Sequence, residues 1–450
     1  MASKTATSKK LVLTTEQLLS HPNLCAVDGK LYDLEAFAKV HPGGAHILSA
    51  GAYDATALFR SMHPGKDPEK SEVFQKHCVG TYKRNEATEP NYTFDSPFAK
   101  DLIATVRKAM GNTSWYAPTG FWARTFLIMA LTLYTEYYWI TTGTLLSGIL
   151  VGVMHSQIGL SIQHDGSHGA ISKDPKVNAF FAYGADWIGN SRWIWLQQHI
   201  LWHHPHTNHQ DLDPDASSAE PFIVFNDYTK NGTMKEKVKP ATSYQDYLVY
   251  AVLGMYGPSV IYNPYVYTMK HSDRIPESVS TGEFFTKQKP LAVALRAFYF
   301  FRIVVAPWYL NNTNLFMAFF LVNFVTGIFL TGLFVVSHNF EGSDRDPLDL
   351  KGKNASNKPV CWYKAQAETS CTYGGTIGML LTGGLNLQIE HHLFPRISSW
   401  HYPYLQDAVR ECCNRHGVTY KYYPTLYENT VSMLRYMRKV GVLAVLAHAE

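Results

Sequence analysis

Histidines gathered at the ends of long apolar stretches constrain this chain more than any other feature. A membrane-crossing helix needs about 20 mostly apolar residues. Four stretches come near that length: residues 121–140, 144–162, 291–310 and 315–336. The second carries His155 and Gln157, the third Arg296 and Arg302, and the fourth carries no charge. His164 and His168 fall just after the second stretch, and His199, His203 and His204 follow. His338 closes the fourth stretch, and His391 with His392 lies beyond. Eight imidazoles at span ends point to a metal centre at a membrane surface, because imidazole suits iron, copper and zinc.

The short connections 141–143 and 311–314 hold no Lys or Arg, so the positive-inside rule puts nearly all basic residues on the cytosolic side. Two hairpins of spans then bring all the clustered histidines out on that same side. Segments 177–196, 247–267 and 371–387 are apolar or aromatic but broken by Gly, Pro, Asn or Asp, and they predict helices on the membrane interface. A net charge of +4 does not indicate nucleic-acid binding, and 14% aromatic residues suits interfacial Trp and Tyr belts. Residues 1–10 are polar and basic, which predicts no cleaved signal peptide. Six cysteines without CxxC spacing fit reduced thiols.

Residues 14–84 alternate short apolar segments with turns and predict a small soluble α+β domain. Residues 85–115 read as a linker, with Pro90 and Pro97, followed by a helix over 98–110 that leads into a membrane domain at 116–440. In the first domain, His41-Pro-Gly-Gly44 precedes His63-Pro64. Two imidazoles on opposite walls of a pocket can hold haem iron from both faces, leaving no open position for oxygen. Gly43 and Gly44 permit a tight turn. His41-Pro-Gly-Gly alone is equally a loop histidine in a tight turn, and His46 reads as an ordinary helix start. With Tyr32-Asp-Leu34 before it and Asp54-Ala-Thr56 and His63 after it, the region from about 14 to 83 resembles a cytochrome b5 domain. The resemblance implies haem b with His41 and His63 as axial ligands.

In the second site, His164-Asp-Gly-Ser-His168 places two rings four apart, on one face of a helix. His199-Ile-Leu-Trp-His203-His204 repeats that spacing and adds an adjacent ring pointing elsewhere. Eight imidazoles exceed the needs of one four-coordinate zinc, and no HExxH motif is present. Glu390 and Asp165 are available as carboxylates, or as partners that orient imidazoles. An all-nitrogen site for two iron ions fits best. His155, His206 and His209 read as ordinary core or surface residues. Trp193, Trp195 and Trp202 line an acyl tunnel or anchor the chain at the interface.

Gln163-His164-Asp-Gly-Ser-His168, Gln198-His199-Ile-Leu-Trp-His203-His204-Pro-His-Thr-Asn208 and Gln388-Ile-Glu-His391-His392-Leu-Phe-Pro395 resemble the boxes of integral-membrane fatty acyl desaturases. Gln388 at the head of the third box matches the front-end group with a fused cytochrome b5, and Ser337-His338-Asn339 matches an additional ligand position. The resemblance implies an all-α membrane domain of about four transmembrane helices with cytosolic interfacial helices. It also implies His164, His168, His199, His203, His204, His338, His391 and His392 as ligands of a di-iron centre, with Gln388 beside them. The implied reaction is O2-dependent insertion of a cis double bond toward the carboxyl end of a polyunsaturated acyl chain. Electrons would come from NADH-cytochrome b5 reductase through the haem, in the endoplasmic reticulum with both sites facing the cytosol. The second and third boxes look most like Δ5 enzymes acting on C20 chains. Δ6 or Δ4 acyl desaturation, Δ8 acyl or sphingolipid desaturation, acyl hydroxylation and a non-catalytic membrane haem electron carrier remain alternatives.

Overall fold

The computed structural model describes residues 11–85, 89–209, 211–226, 238–262, 283–343 and 359–449. The N-terminal domain is built on a four-stranded sheet, in the order β1 (Leu11–Thr14), β4 (Cys78–Lys83), β3 (Lys30–Asp33), β2 (Leu24–Val27). β1 runs parallel to β4, and β2 pairs antiparallel with β3 across a two-residue turn. That turn is Asp28-Gly29, both at positive φ, the conformation that matches the twist of paired strands. Successive side chains of a strand face opposite ways. Leu31 therefore joins Leu13, Leu18 and Ala26 on one face, and Tyr32 joins Val27, Leu34 and Phe59 on the other. Leu201, far along the chain, completes that second cluster, so the rest of the protein covers this face.

The remainder is mostly helical. Helix α1 (Pro97–Met110) is N-capped by the Ser96 hydroxyl and buries Phe98, Leu102, Ile103 and Val106. The preceding stretch is not a free spacer: Tyr92–Thr93 pairs with Val360–Cys361 as a short parallel ladder, which ties it to the helical part by backbone hydrogen bonds. Then come α2 (Thr119–Thr142), α3 (Leu145–Ser167), α4 (Gln245–Tyr262), α5 (Glu283–Asn311), α6 (Leu315–His338), α7 (Tyr402–Arg415) and α8 (Leu426–Ala449). Helix α1 packs along α7, and their apolar faces share one core cluster. All six cysteines are free.

Three described helices, α3, α5 and α6, are long and apolar enough to cross a membrane. The expectation of about four counts one helix more, at residues 121–140. The expected first span lies in α2, whose average hydropathy is lowered by Glu136. That carboxylate is buried, 2.8 Å from His155 Nε2 and 2.9 Å from Trp187 Nε1, and it also meets the Arg302 guanidinium. Phe126, Leu127, Leu131 and Leu133 of the same helix are exposed. An average taken along the helix mixes its apolar outer side with an internally neutralised charge.

Segment 247–267, expected as a helix on or dipping into the interface, falls in the helix α4, which packs lengthwise against α6; its residues after Tyr262 lie outside the described residues. Its glycines are contact points rather than breaks. A Cβ on Gly257 would stand 1.9 Å from the Asn323 carbonyl oxygen of α6, and one on Gly327 of α6 would stand 2.5 Å from the Gly254 carbonyl oxygen. Small residues let two helix backbones meet in this way. Segment 177–196 is three short helices, Pro175–Ala182, Gly184–Trp187 and Arg192–Trp195. Segment 371–387 is a strand, Cys371–Tyr373, and a helix, Gly375–Thr382.

Candidate functional site

The eight clustered histidines converge from four parts of the chain, and all are buried. They sort into two groups whose ring nitrogens lie within 4.8 Å of one another: His164, His168, His199, His204 and His391, and then His203, His338 and His392. His164 and His168 start and end one helical turn, closed by the His168 amide on the His164 carbonyl at 3.1 Å, as their spacing requires.

The second box departs from the expected four-residue spacing. Residues Leu196–His203 form a π-helix, and the His204 amide donates to the His199 carbonyl, five residues back, at 3.0 Å. The wider turn puts His204 beside His199 in the first group and turns His203 into the second. π-Helical turns inside helices recur at functional sites. In the third box, the short helix Gln388–Leu393 divides adjacent rings between the groups, with His391 in the first and His392 in the second. Gln388, one turn before His392, places its amide nitrogen 3.1 Å from His338 Nε2 and 3.4 Å from His392 Nε2.

The donor set fits metal. His164 Nε2 and His204 Nε2 stand 3.1 and 3.2 Å from His199 Nε2. Both ring nitrogens of His168 and the Nε2 of His391 are buried with no hydrogen-bond partner. Burial, with the neighbouring imidazoles, holds His168, His199, His204, His391 and His392 well below the usual imidazole range. They are therefore neutral, the form that binds metal.

The outer nitrogens are fixed by partners that orient the rings. His203 Nδ1 lies 3.0 Å from Asp213 Oδ2, His338 Nδ1 lies 3.0 Å from the Thr369 carbonyl, and His392 Nδ1 lies 2.9 Å from Gln366 Oε1. His391 Nδ1 meets the Tyr402 hydroxyl at 3.1 Å. An acceptor on Nδ1 sets the proton there and leaves Nε2 for metal. Sequence reasoning missed these partners. The acidic run Asp211-Leu-Asp213-Pro-Asp215 just after the second box is the one signal that could have found Asp213.

Neither Asp165 nor Glu390 belongs to the imidazole groups. Asp165 accepts from the Ser399 amide and hydroxyl, both at 3.0 Å. Glu390 accepts from the Tyr420 hydroxyl at 2.7 Å and from the Thr372 hydroxyl at 3.0 Å, and burial pushes it up to about 7. A cavity of about 330 Å³ opens against His199, His203 and His338, walled by Leu253, Met255, Leu330, Phe334 and Val335. Of the three tryptophans, Trp195 lines this cavity. Trp193 and Trp202 instead stand at the seam between the two domains, beside His46 and Tyr53.

In the N-terminal domain, the His41 and His63 rings stand edge to face with centroids 6.0 Å apart. They line a cavity of about 260 Å³ with Val27, Leu34, Phe37 and Phe59. This apolar slot between two imidazoles suits a flat macrocycle. His63 Nδ1 lies 3.1 Å from the Phe59 carbonyl, which leaves Nε2 for iron. His41 differs: the Gly43 amide donates to its Nδ1 at 2.9 Å, an arrangement that puts the ring proton on Nε2, so this ring must reorient to ligate iron. The two glycines serve different needs. Gly44 adopts φ +56°, whereas a Cβ on Gly43 would press to 3.0 Å from His41 Nδ1. Burial, and then the charge of Arg396, lowers His41 to about 4 and His63 to about 3.

A histidine-rich metal centre at the ends of membrane-length helices, joined to a haem-type domain, defines a membrane-bound oxidoreductase. The comparisons with known proteins narrow that class. The family of the Fatty acid desaturase matches residues 138–424, and the Cytochrome b5-like Heme/Steroid binding domain matches residues 14–83. The chain belongs to the fatty acid desaturase family and carries a cytochrome b5-like domain. It is 34% identical over 437 residues to the acyl-lipid (7-3)-desaturase of Rebecca salina, covering 95% of this chain and 93% of that protein. It is 30% identical over 438 residues to the Delta(5) fatty acid desaturase A of Dictyostelium discoideum, covering 92% and 90%. It is 30% identical over 449 residues to the acyl-lipid (8-3)-desaturase B of the same organism, again covering 92% and 90%.

Proposed function

We propose that this chain is a front-end desaturase that places a cis double bond at the Δ5 position of C20 polyunsaturated acyl chains. One observation carries the desaturase chemistry: an apolar cavity long in aliphatic and aromatic wall opens directly onto His199, His203 and His338. An acyl methylene laid along Leu330, Phe334 and Val335 would rest beside these rings. The two imidazole groups would hold two irons, with Gln388 beside the second. Bound there, iron supplies the O2 chemistry needed to take hydrogen from an unactivated methylene. The balance is two hydrogens from the acyl chain, with two further electrons and two protons, reducing O2 to two waters. Asp213, Gln366 and the Thr369 carbonyl keep their imidazoles aimed, and Phe334 and Trp195 close the site. His41 and His63 would ligate haem b, fed by NADH-cytochrome b5 reductase. Helix α2 would complete a four-span domain in the endoplasmic reticulum, with both sites on the cytosolic side.

The Δ5 position is supported by the likeness of residues 201–209 and 386–396 to Δ5 enzymes and by the Delta(5) relative. A second position is favoured by the more similar relative named acyl-lipid (7-3)-desaturase. Expression in yeast lacking polyunsaturates, with C18, C20 and C22 polyenoic acids fed separately, decides between them by mass spectrometry of derivatised esters. A new Δ5 bond in a C20 acid is the expected outcome. A new bond elsewhere keeps the chemistry and moves the position. A hydroxylated product, or no product with haem present, overturns the desaturase reading.

A further inference from the structure

The haem-type cavity is not a property of the N-terminal domain alone. Its far wall is contributed by the desaturase part: Leu201, Arg192, His168 and Arg396 line the same space as His41 and His63. The domains are docked there by direct contacts. The Tyr53 hydroxyl donates to the Leu201 carbonyl at 3.4 Å, and the Arg107 guanidinium donates to the Pro64 carbonyl at 2.9 Å. Haem is a flat apolar ring with two carboxylates on one edge. The N-terminal wall near His41 and His63 offers no Lys or Arg, so a cation for the carboxylate edge can come only from the other wall.

Three cations line the cavity from that side: Lys173, which is exposed, Arg192, which is buried, and Arg396, which is half-buried. Arg192 is already engaged: it stacks over Tyr183 and Trp193 at 4.4 and 4.5 Å and donates to the Ala179 carbonyl at 3.3 Å. Arg396 is half-buried and makes no hydrogen bond or ion pair among the described residues. It lines the same cavity as His41 and His63. It also follows His392 by four residues, so it rides on the segment that carries the third box. We propose that Arg396 is the desaturase domain's clamp on a haem carboxylate, fixing the carboxylate edge of the haem toward the wall that holds His168. The proposal rests on the reading of His41 and His63 as haem ligands. Arg396 acts by positioning and by its charge.

The sign of the effect follows from charge. A cation beside the haem disfavours the more positive ferric state, so removing it lowers the midpoint potential. The test uses the full chain in lipid nanodiscs, with haem monitored by its Soret band during a redox titration. Arg396→Gln is expected to keep the band, to lower the midpoint potential and to slow haem reoxidation by O2 plus acyl substrate about tenfold or more. Arg396→Lys is expected to restore the potential. Wild-type chain reconstituted with haem dimethyl ester, whose carboxylates are blocked, is expected to show a raised potential. In a direct pair, the ester and Arg396→Gln do not add. An unmoved potential in Arg396→Gln, or full additivity with the ester, overturns the proposal. If Arg396→Gln fails to fold, the ester in wild-type protein decides alone: an unchanged potential there overturns the clamp. A wild-type chain that shows no Soret band with added haem refutes the ligand reading itself, a failure distinct from an unmoved potential.

Discussion

At the scale of single residues, the site depends on groups that orient imidazoles as much as on the imidazoles. His203→Ala is expected to abolish desaturation and to lower bound iron, read by product analysis and by elemental analysis of purified protein. Asp213→Asn keeps the shape but weakens the acceptor on His203 Nδ1. Loss of such a partner costs roughly 10–100-fold in metal affinity, so iron should be lost at a lower chelator concentration than from wild type. The histidines themselves were legible in the sequence, because metal centres need many donors and the spacing repeats. Asp213, Gln366 and Tyr402 were not. Their role arises from distance in space: Gln366 lies 26 residues from the His392 it holds.

At the scale of elements, helices are joined by two devices of opposite chemistry. One is close backbone approach. Gly257→Val would push into the Asn323 carbonyl of α6 and is expected to destabilise by about 1–3 kcal/mol. Thermal inactivation in detergent measures it. The other is the buried charge cluster of Glu136 and Arg302. Glu136→Gln leaves Arg302 buried without its counter-ion, a change worth roughly 3–5 kcal/mol. Adding Arg302→Met should recover much of that loss, read as recovery of the melting temperature. The apolar stretch of α2 was legible in the sequence along with those of α3, α5 and α6, but a linear reading cannot see that the Glu136 charge is met from α5.

At the scale of the whole molecule, the metal centre joins parts of the chain that are otherwise far apart: the turn at His164, the π-helix at His199, the end of α6 and the helix at Gln388. Metal bound across these parts should stabilise the assembly. At a free metal level 1,000-fold above its Kd this amounts to about 4.1 kcal/mol. Chelation is therefore expected to lower the melting temperature of the helical part while the Soret band of the haem domain persists. A parallel loss of both signals would mean that the two domains unfold as one unit.

The two-part plan, the histidine boxes and the pairing of His41 with His63 were legible in the sequence, because each is written in local spacing and residue chemistry. Only the tertiary structure decided how those rings are shared out. The π-turn over Leu196–His203 puts His204 with His199 in the five-ring group and leaves His203 to His338 and His392, and nothing in the spacing of the box announces a five-residue turn. Tertiary packing likewise decided that the desaturase part walls the haem cavity, since Leu201 and Arg396 reach it only after the chain has folded back on itself. Local periodicity sets which residue types recur; the packing of distant segments sets which of them meet.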